Sequence, residues 1–179
     1  MLNQTPVQIA WVTRDLDTTE RTLTALLGAR SWVRMPGVHF GPDSCEYRGA
    51  PADFVADISL SYAGDTQLEL IAPVRGDSIY TEFLDTVGPG LHHICVAAPD
   101  ADGYEAALRD ATAAGAPVVQ QGVMPGGMKF AYVSAEPLPV ASLAPAASGG
   151  PYIEIALIPP EIQAFFDHVK RQQQESTHD

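Results

Sequence analysis

Positive charge is scarce in this chain. Ten Lys and Arg stand against 22 Asp and Glu, for a formal net charge of −12 over 179 residues. That balance argues against nucleic acid and anionic membrane surfaces as partners, because both are bound by clustered cations. Cysteine is nearly absent too. Cys45 and Cys95 allow one pairing at most and no disulfide framework, so free thiols and a cytoplasmic location are expected. No apolar run approaches the roughly 20 residues needed to span a bilayer. The first residues carry no basic stretch followed by an apolar one, so no secretion signal is read. What is left, with 46% hydrophobic residues, is the composition of a soluble globular protein.

The strongest positive signal is an internal duplication. Gln8-Ile-Ala-Trp-Val-Thr-Arg-Asp15 aligns with His93-Ile-Cys-Val-Ala-Ala-Pro-Asp100. Gln67-Leu-Glu69-Leu-Ile71 aligns with Tyr152-Ile-Glu154-Ile-Ala156. The offset is 85 residues in both cases, 93 − 8 and 154 − 69. A repeat that sets a polar, metal-competent side chain into each of four apolar strands suggests one site shared by two halves.

The pattern predicts an α+β fold of two tandem βαβββ modules whose strands form one curved, open, barrel-like sheet around an interior cleft. The N-terminal module is expected over residues 5–76, a connecting helix and turn over 77–90, the C-terminal module over 91–159, and a helix with a tail over 160–179. In the first module a strand at Val7 to Thr13 precedes a helix that opens at Asp17 with Glu20 three residues on, a capping pattern. Gly28 ends that helix. One strand and a loop are expected between residues 30 and 56. A hairpin follows, Ile58 to Tyr62 and Gln67 to Ile71, turning at Ala63-Gly64-Asp65. The second module repeats the order: a strand from Leu91 to Ala97, a helix opening at Asp102 and ending at Gly115, then strands near Val118, Lys129 and Tyr152. A loop rich in Pro, Ala, Ser and Gly, Glu136 to Pro151, interrupts it and reads as a disordered insertion or a lid. Glu161 to Arg171 has amphipathic helical spacing and should dock on the body or on a second subunit. Beyond it, Gln172 to Asp179 should fray.

One stretch carries a family resemblance. Gln67-Leu-Glu-Leu-Ile-Ala-Pro-Val-Arg-Gly-Asp-Ser-Ile-Tyr-Thr-Glu-Phe-Leu84, followed by Gly90-Leu-His-His-Ile-Cys95, resembles the methylmalonyl-CoA epimerase branch of the vicinal oxygen chelate superfamily. That superfamily also holds glyoxalase I, extradiol dioxygenases and bleomycin-resistance proteins. The resemblance spans residues 7 to 158 and implies a divalent metal ion held by Gln8, Glu69, His93 and Glu154. Epimerases of this branch carry His at the position of Gln8. The set found here is similar to that of zinc-type glyoxalase I, although Val12 and Pro73 stand where that enzyme has glutathione-binding Arg and Asn.

An amide oxygen, two carboxylates and one imidazole suit Zn, Co, Ni, Mn or Mg with positions left open for substrate. With a single His, the set departs from the two-His, one-carboxylate arrangement of iron dioxygenases. The resemblance implies an epimerase or isomerase that moves a proton next to a carbonyl, with acyl thioesters among the candidate substrates, through a metal-stabilised enediolate. Glu154 is the expected base, with Glu69 assisting. The alternatives are a glyoxalase-like lyase on a thiol adduct other than glutathione, and a metal-free small-molecule binding or resistance protein using the same cleft. Trp11, Trp32, Phe40 and Tyr132 are the aromatics that could line it. Each ligand position also has a plainer reading: a backbone-bonded Gln, a satisfied core His, solvent-facing carboxylates. His92 is expected to face away from His93, as alternation in a regular strand requires. Lys129 reads either as a contact for an anionic substrate or as a solvated edge lysine. A small-molecule substrate and a homodimer are the expected partners.

Overall fold

The computed structural model describes residues 5–134 and 151–176. The predicted insertion lies outside the described residues up to residue 150. In chain order the elements are β1 (Gln8–Val12), α1 (Leu16–Leu27), β2 (Val33–Phe40), β3 (Cys45–Tyr47), β4 (Ala50–Pro51), β5 (Phe54–Ala63), β6 (Thr66–Arg75), α2 (Ile79–Thr86), β7 (Gly90–Ala97), α3 (Ala101–Ala113), β8 (Val118–Val123), β9 (Lys129–Ser134), β10 (Tyr152–Leu157) and α4 (Pro160–Ser176). The strands form one ten-stranded sheet, ordered β2-β5-β6-β1-β7-β10-β9-β8-β3-β4.

Two parallel strand pairs of identical register form its centre. β1 runs beside β6 with Gln8 opposite Gln67, and β7 runs beside β10 with His93 opposite Tyr152. Those partners are again 85 residues apart, 93 − 8 and 152 − 67, so the repeat in sequence is a repeat in register. β1 and β7 then pair antiparallel and join the halves.

The sheet curls until its ends approach each other. β2 lies at one end of the strand order and the β3–β4 hairpin at the other, yet only residues 41–44 separate β2 from β3. A link that short spans at most about 18 Å. Phe40 at the end of β2 stacks on Phe54 of β5, with centroids 4.5 Å apart, and meets Phe130 of β9 edge-on at 5.7 Å. The main apolar core fills the concave side, where α2 contributes Ile79, Tyr80 and Phe83 and α4 contributes Val169. The convex side is covered by α1 against β6 and by α3 against β10.

Several boundaries differ from expectation for physical reasons. Both helix caps lie two residues earlier than predicted. Asp15 and Asp100 are the residues in extended backbone, and their carboxylates accept from Thr18 N and Gly103 N. The 85-residue offset survives, 100 − 15. Gly28 ends α1 in the left-handed conformation at φ 73, as expected. The stretch from 30 to 56 holds three complete strands rather than one. β3 finds its partner, β8, in the other half of the chain, which local composition does not reveal.

The last helix continues to Ser176 instead of fraying from residue 172. Gln173 holds it. Its Oε1 accepts from Arg30 N at 2.8 Å and Ser31 N at 2.7 Å, and its Nε2 donates to Gly28 O at 2.7 Å. Gln173 is 4% exposed, and its loss leaves three part-buried backbone groups without this partner. Gln173→Ala should cost about 2–3 kcal/mol, read as a lower urea midpoint at unchanged slope. A change below about 0.5 kcal/mol would show that the apolar face alone holds α4.

Candidate metal centre

Four strands each deliver one polar side chain to the concave face. The ligating atoms of Glu69, His93 and Glu154 all lie within 4.8 Å of one another. His93 Nε2 is 3.4 Å from Glu69 Oε2 and 3.2 Å from Glu154 Oε2, but the geometry makes neither approach a hydrogen bond. Gln8 lines the same cavity as both carboxylates. Its Nε2 donates to Gln67 Oε1 at 2.8 Å, and Gln67 Nε2 donates to the Tyr62 hydroxyl at 3.0 Å. That chain fixes the Gln8 amide and leaves its Oε1 buried without a partner. Exposure is 5% for Gln8, 9% for Glu69, 1% for His93 and 4% for Glu154, so water cannot supply the missing contacts freely. The structure thus brings together the four residues that the repeat singles out.

The electrostatics are unbalanced without a cation. Two carboxylates face one imidazole, and among the described residues no Lys or Arg pairs with either. Burial opposes a charged His93, but the carboxylates of Glu154 and Glu69 outweigh it and carry the imidazole pKa up to about 9. Burial also raises the Glu69 carboxyl; His93 pulls it down and the charge of Glu154 pushes it up further. The cluster therefore holds a proton more tightly than its separate groups would.

A divalent ion fits this donor set. Ligands at about 2.0–2.2 Å from an ion, spread at right or tetrahedral angles, stand about 2.8–3.6 Å apart, and both separations at His93 Nε2 fall in that range. The unpartnered amide oxygen of Gln8, at the same cavity as both carboxylates, would be a fourth donor. A cation would also offset the cost of burying two carboxylates, which is large when nothing pairs with them.

His92 departs from expectation. β7 carries a bulge: Ala10 pairs with His93 but Trp11 pairs with Leu91, so His92 is the extra residue. A bulge breaks strand alternation, and both histidines turn to the concave face. Their Nδ1 atoms are 2.8 Å apart, and both rings pack against Tyr132. Burial and the neighbouring His93 push the His92 pKa well down, which favours a neutral His92 ring in the Nδ1–Nδ1 contact with His93. That contact orients the His93 ring and leaves Nε2 turned to the carboxylates. The sequence carries the His-His pair but no sign of the bulge. Gln67, which orients Gln8, was visible in the repeat only as a strand residue.

The cavity lined by Gln8, Glu69 and Glu154 measures about 30 Å³, room for about two waters. Phe40 and Tyr132 line it, as expected, together with Tyr80 of α2, which the sequence reading passed over. The Tyr80 hydroxyl donates to that of Tyr132 at 2.7 Å. Trp11 and Trp32 are not among its walls. Trp32 instead donates to Thr24 Oγ1 and Ala29 O. Lys129 lies outside as well, its Nζ over the Tyr104 ring of α3.

The chain belongs to the Glyoxalase/Bleomycin resistance protein/Dioxygenase superfamily, whose sequence profile matches residues 7–132. The ten-stranded curled sheet with its helices is the α+β vicinal oxygen chelate fold. Among solved structures it is similar to methylmalonyl-CoA epimerase from Mycobacterium tuberculosis, with a TM-score of 0.55 and 20% identity over 92% of this chain and 97% of that one. It is also similar to a hypothetical protein from Bacillus halodurans, with a TM-score of 0.56 and 15% identity over 87% and 94% of the two chains. A third is a variant methylmalonyl-CoA epimerase from Streptomyces coelicolor in complex with 2-nitronate-propionyl-CoA, with a TM-score of 0.51 and 20% identity over 86% and 94%. At these identities the likeness is one of fold. Among curated proteins, none matches this chain significantly.

Two outcomes are expected at this cluster. His92→Phe keeps an aromatic ring but removes the contact to His93 Nδ1, so zinc affinity should fall by about 10–100-fold in competition titrations. An unchanged affinity would show that His92 only fills space. Metal binding must also displace the proton held at His93 up to pH about 9. Below that pH the affinity should drop by about tenfold per unit, and calorimetry in buffers of different ionisation enthalpy at neutral pH should detect about one proton released per ion. No proton release would show that the cluster carries no displaceable proton at neutral pH.

Proposed function

We propose that this protein is a metal-dependent enzyme that moves a proton at a carbon next to a carbonyl, as an epimerase or isomerase does. The observation that carries this reading is the placement of two buried carboxylates beside one imidazole, all within 4.8 Å, at a nearly closed cavity. In a two-module reading, residues 5–76 contribute Gln8 and Glu69, and residues 91–159 contribute His93 and Glu154. These four would hold the ion, drawn from Zn, Co, Ni, Mn and Mg. When bound, a divalent cation polarises the substrate carbonyl and balances the charge that grows on its oxygen.

The chain's own residues account for the rest. Glu154 is the base that takes the proton from carbon, and Glu69 is the second carboxyl that can return one. A two-base inversion of a carbon centre uses two such groups, each within reach of the same carbon. His93 stands between them and limits their mutual repulsion. Gln67 and His92 act as positioning residues for Gln8 and His93. The apolar walls, among them Ile58, Leu60 and Phe130, limit access of water and so protect a carbanion-like species from unselective protonation. An acyl thioester suits this chemistry because its adjacent carbon is comparatively acidic. The superposition on methylmalonyl-CoA epimerases makes epimerisation the first reaction to test.

Elemental analysis after loading with each candidate metal should find about one equivalent per chain, lost or strongly reduced in Glu154→Gln. In D2O, the wild type should exchange the hydrogen next to the carbonyl of a suitable thioester, followed by NMR, and Glu154→Gln should slow this by about 100-fold or more. A wild-type protein that binds none of the five metals would overturn the metal-dependent reading and leave a ligand-binding cleft as the better account.

A further inference from the structure

A second cavity, of about 170 Å³, lies between α4, the β5–β6 turn and the ends of β1 and β7. It is not separate from the metal centre. Gln8, Met128 and Phe166 line both cavities, so these three side chains form the partition between an outer chamber and the inner one. Gln8 is 5% exposed and its Oε1 has no partner, so a candidate metal donor stands in the partition itself. The inner cavity holds about two waters. A carbonyl substrate can therefore reach the cluster only if part of its wall moves. Phe166 belongs to α4, and Met128 ends the β8–β9 turn against which the start of α4 packs: a Cβ on Gly126 would come within 2.7 Å of Ile162 Cδ1.

The outer chamber is polar in a particular way. Among the described residues its charged side chains are Asp65, Asp167 and Lys170. Lys170 Nζ is engaged by Asp65 Oδ1 at 2.6 Å, while among the described residues Asp167 accepts from the neutral amide of Gln163 at 2.9 Å and from no cation. The chamber thus carries a net negative charge inside a chain already at −12. A polyphosphate tail would meet repulsion there, with the local cation already paired.

We propose that the outer chamber is the entrance to the metal centre and the seat of the substrate's distal end, that Phe166 with Met128 is its inner gate, and that it selects a neutral or cationic substrate over a phosphate-bearing one. The assignment of the inner cavity as the reacting end rests on the function proposed above; the path and its charge preference do not.

Native Cys95, 2% exposed, lines the outer chamber and reports on it; the carboxylate of Glu154 acts on its thiol too, and equally in wild type and variant. It is labelled with a cationic and with an anionic methanethiosulfonate, 2-(trimethylammonium)ethyl and 2-sulfonatoethyl, and each thiol is followed by mass spectrometry of peptides. The thiolate attacks the sulfenyl sulfur, a disulfide forms, and methanesulfinate leaves. The ratio of the two rates cancels the acidity of Cys95. That ratio should fall by about threefold or more in Asp167→Asn, and it should flatten towards the variant's value in 1 M salt. A ratio unmoved by both overturns the charge preference.

Leu60→Cys, or Ile58→Cys should the first not fold, places a thiol in the inner cavity. Its labelling should accelerate by about tenfold or more when Phe166→Ala is added, and should slow with Phe166→Trp, while the circular dichroism melt stays cooperative. Equal rates in all three backgrounds overturn the gate. None of these readouts needs metal or turnover. Failure to bind metal therefore sinks the function proposed above, and failure of the labelling pattern sinks the entrance.

Discussion

Burying two carboxylates against one imidazole is the constraint around which the rest of this structure is arranged. Charged groups this deep are tolerated only when neighbours, protons or ions balance them. The protein can place them so deeply because each sits on a different strand of a four-strand core, β6, β1, β7 and β10, whose register is fixed by the pairing of β1 with β6 and of β7 with β10. A slip by one residue in either pair would turn a carboxylate to the opposite face. The positions of Glu69 and Glu154 are therefore as much a property of hydrogen-bonded backbone as of side chains.

Much of this was legible in the chain, and for a definite reason. A duplicated unit repeats its register, so an offset of 85 residues carries three-dimensional information: it links Gln8 to His93 and Glu69 to Glu154 before any coordinates exist. The same offset holds for the helix caps even though each lies two residues from its expected place. Asp15 and Asp17 are both plausible caps by composition, and only the backbone conformation of the preceding turn chooses between them.

What was not legible depends on relations between distant segments. β3 is three residues long, and its partner lies beyond the midpoint of the chain, with Cys45 opposite Gly122. The bulge at His92 exists only as a mismatch between β7 and β1, so neither strand announces it. Gln173, buried near the end of a polar helix tail, looks like a solvated residue until Gly28, Arg30 and Ser31 are brought to it. The orienting contacts of the site share this origin. Ligands repeat with the modules, whereas the groups that aim them, Gln67 in one half and His92 in the other, are different solutions to the same task.

The two rims of the sheet bear on how this protein can meet a second copy of itself. One rim is β2, which contains Pro36 and shifts register between Met35 and Val38. The other is β4, two residues long and ending in Pro51. Proline offers no N–H to an incoming strand, and a bulged or very short edge gives it little length to follow. Growth of the sheet by edge-to-edge addition is thus blunted at both ends. Any pairing of two copies is thereby steered towards faces and helices, where side chains rather than backbone decide the fit, and the same blunting guards a ten-stranded β structure against running on into aggregates.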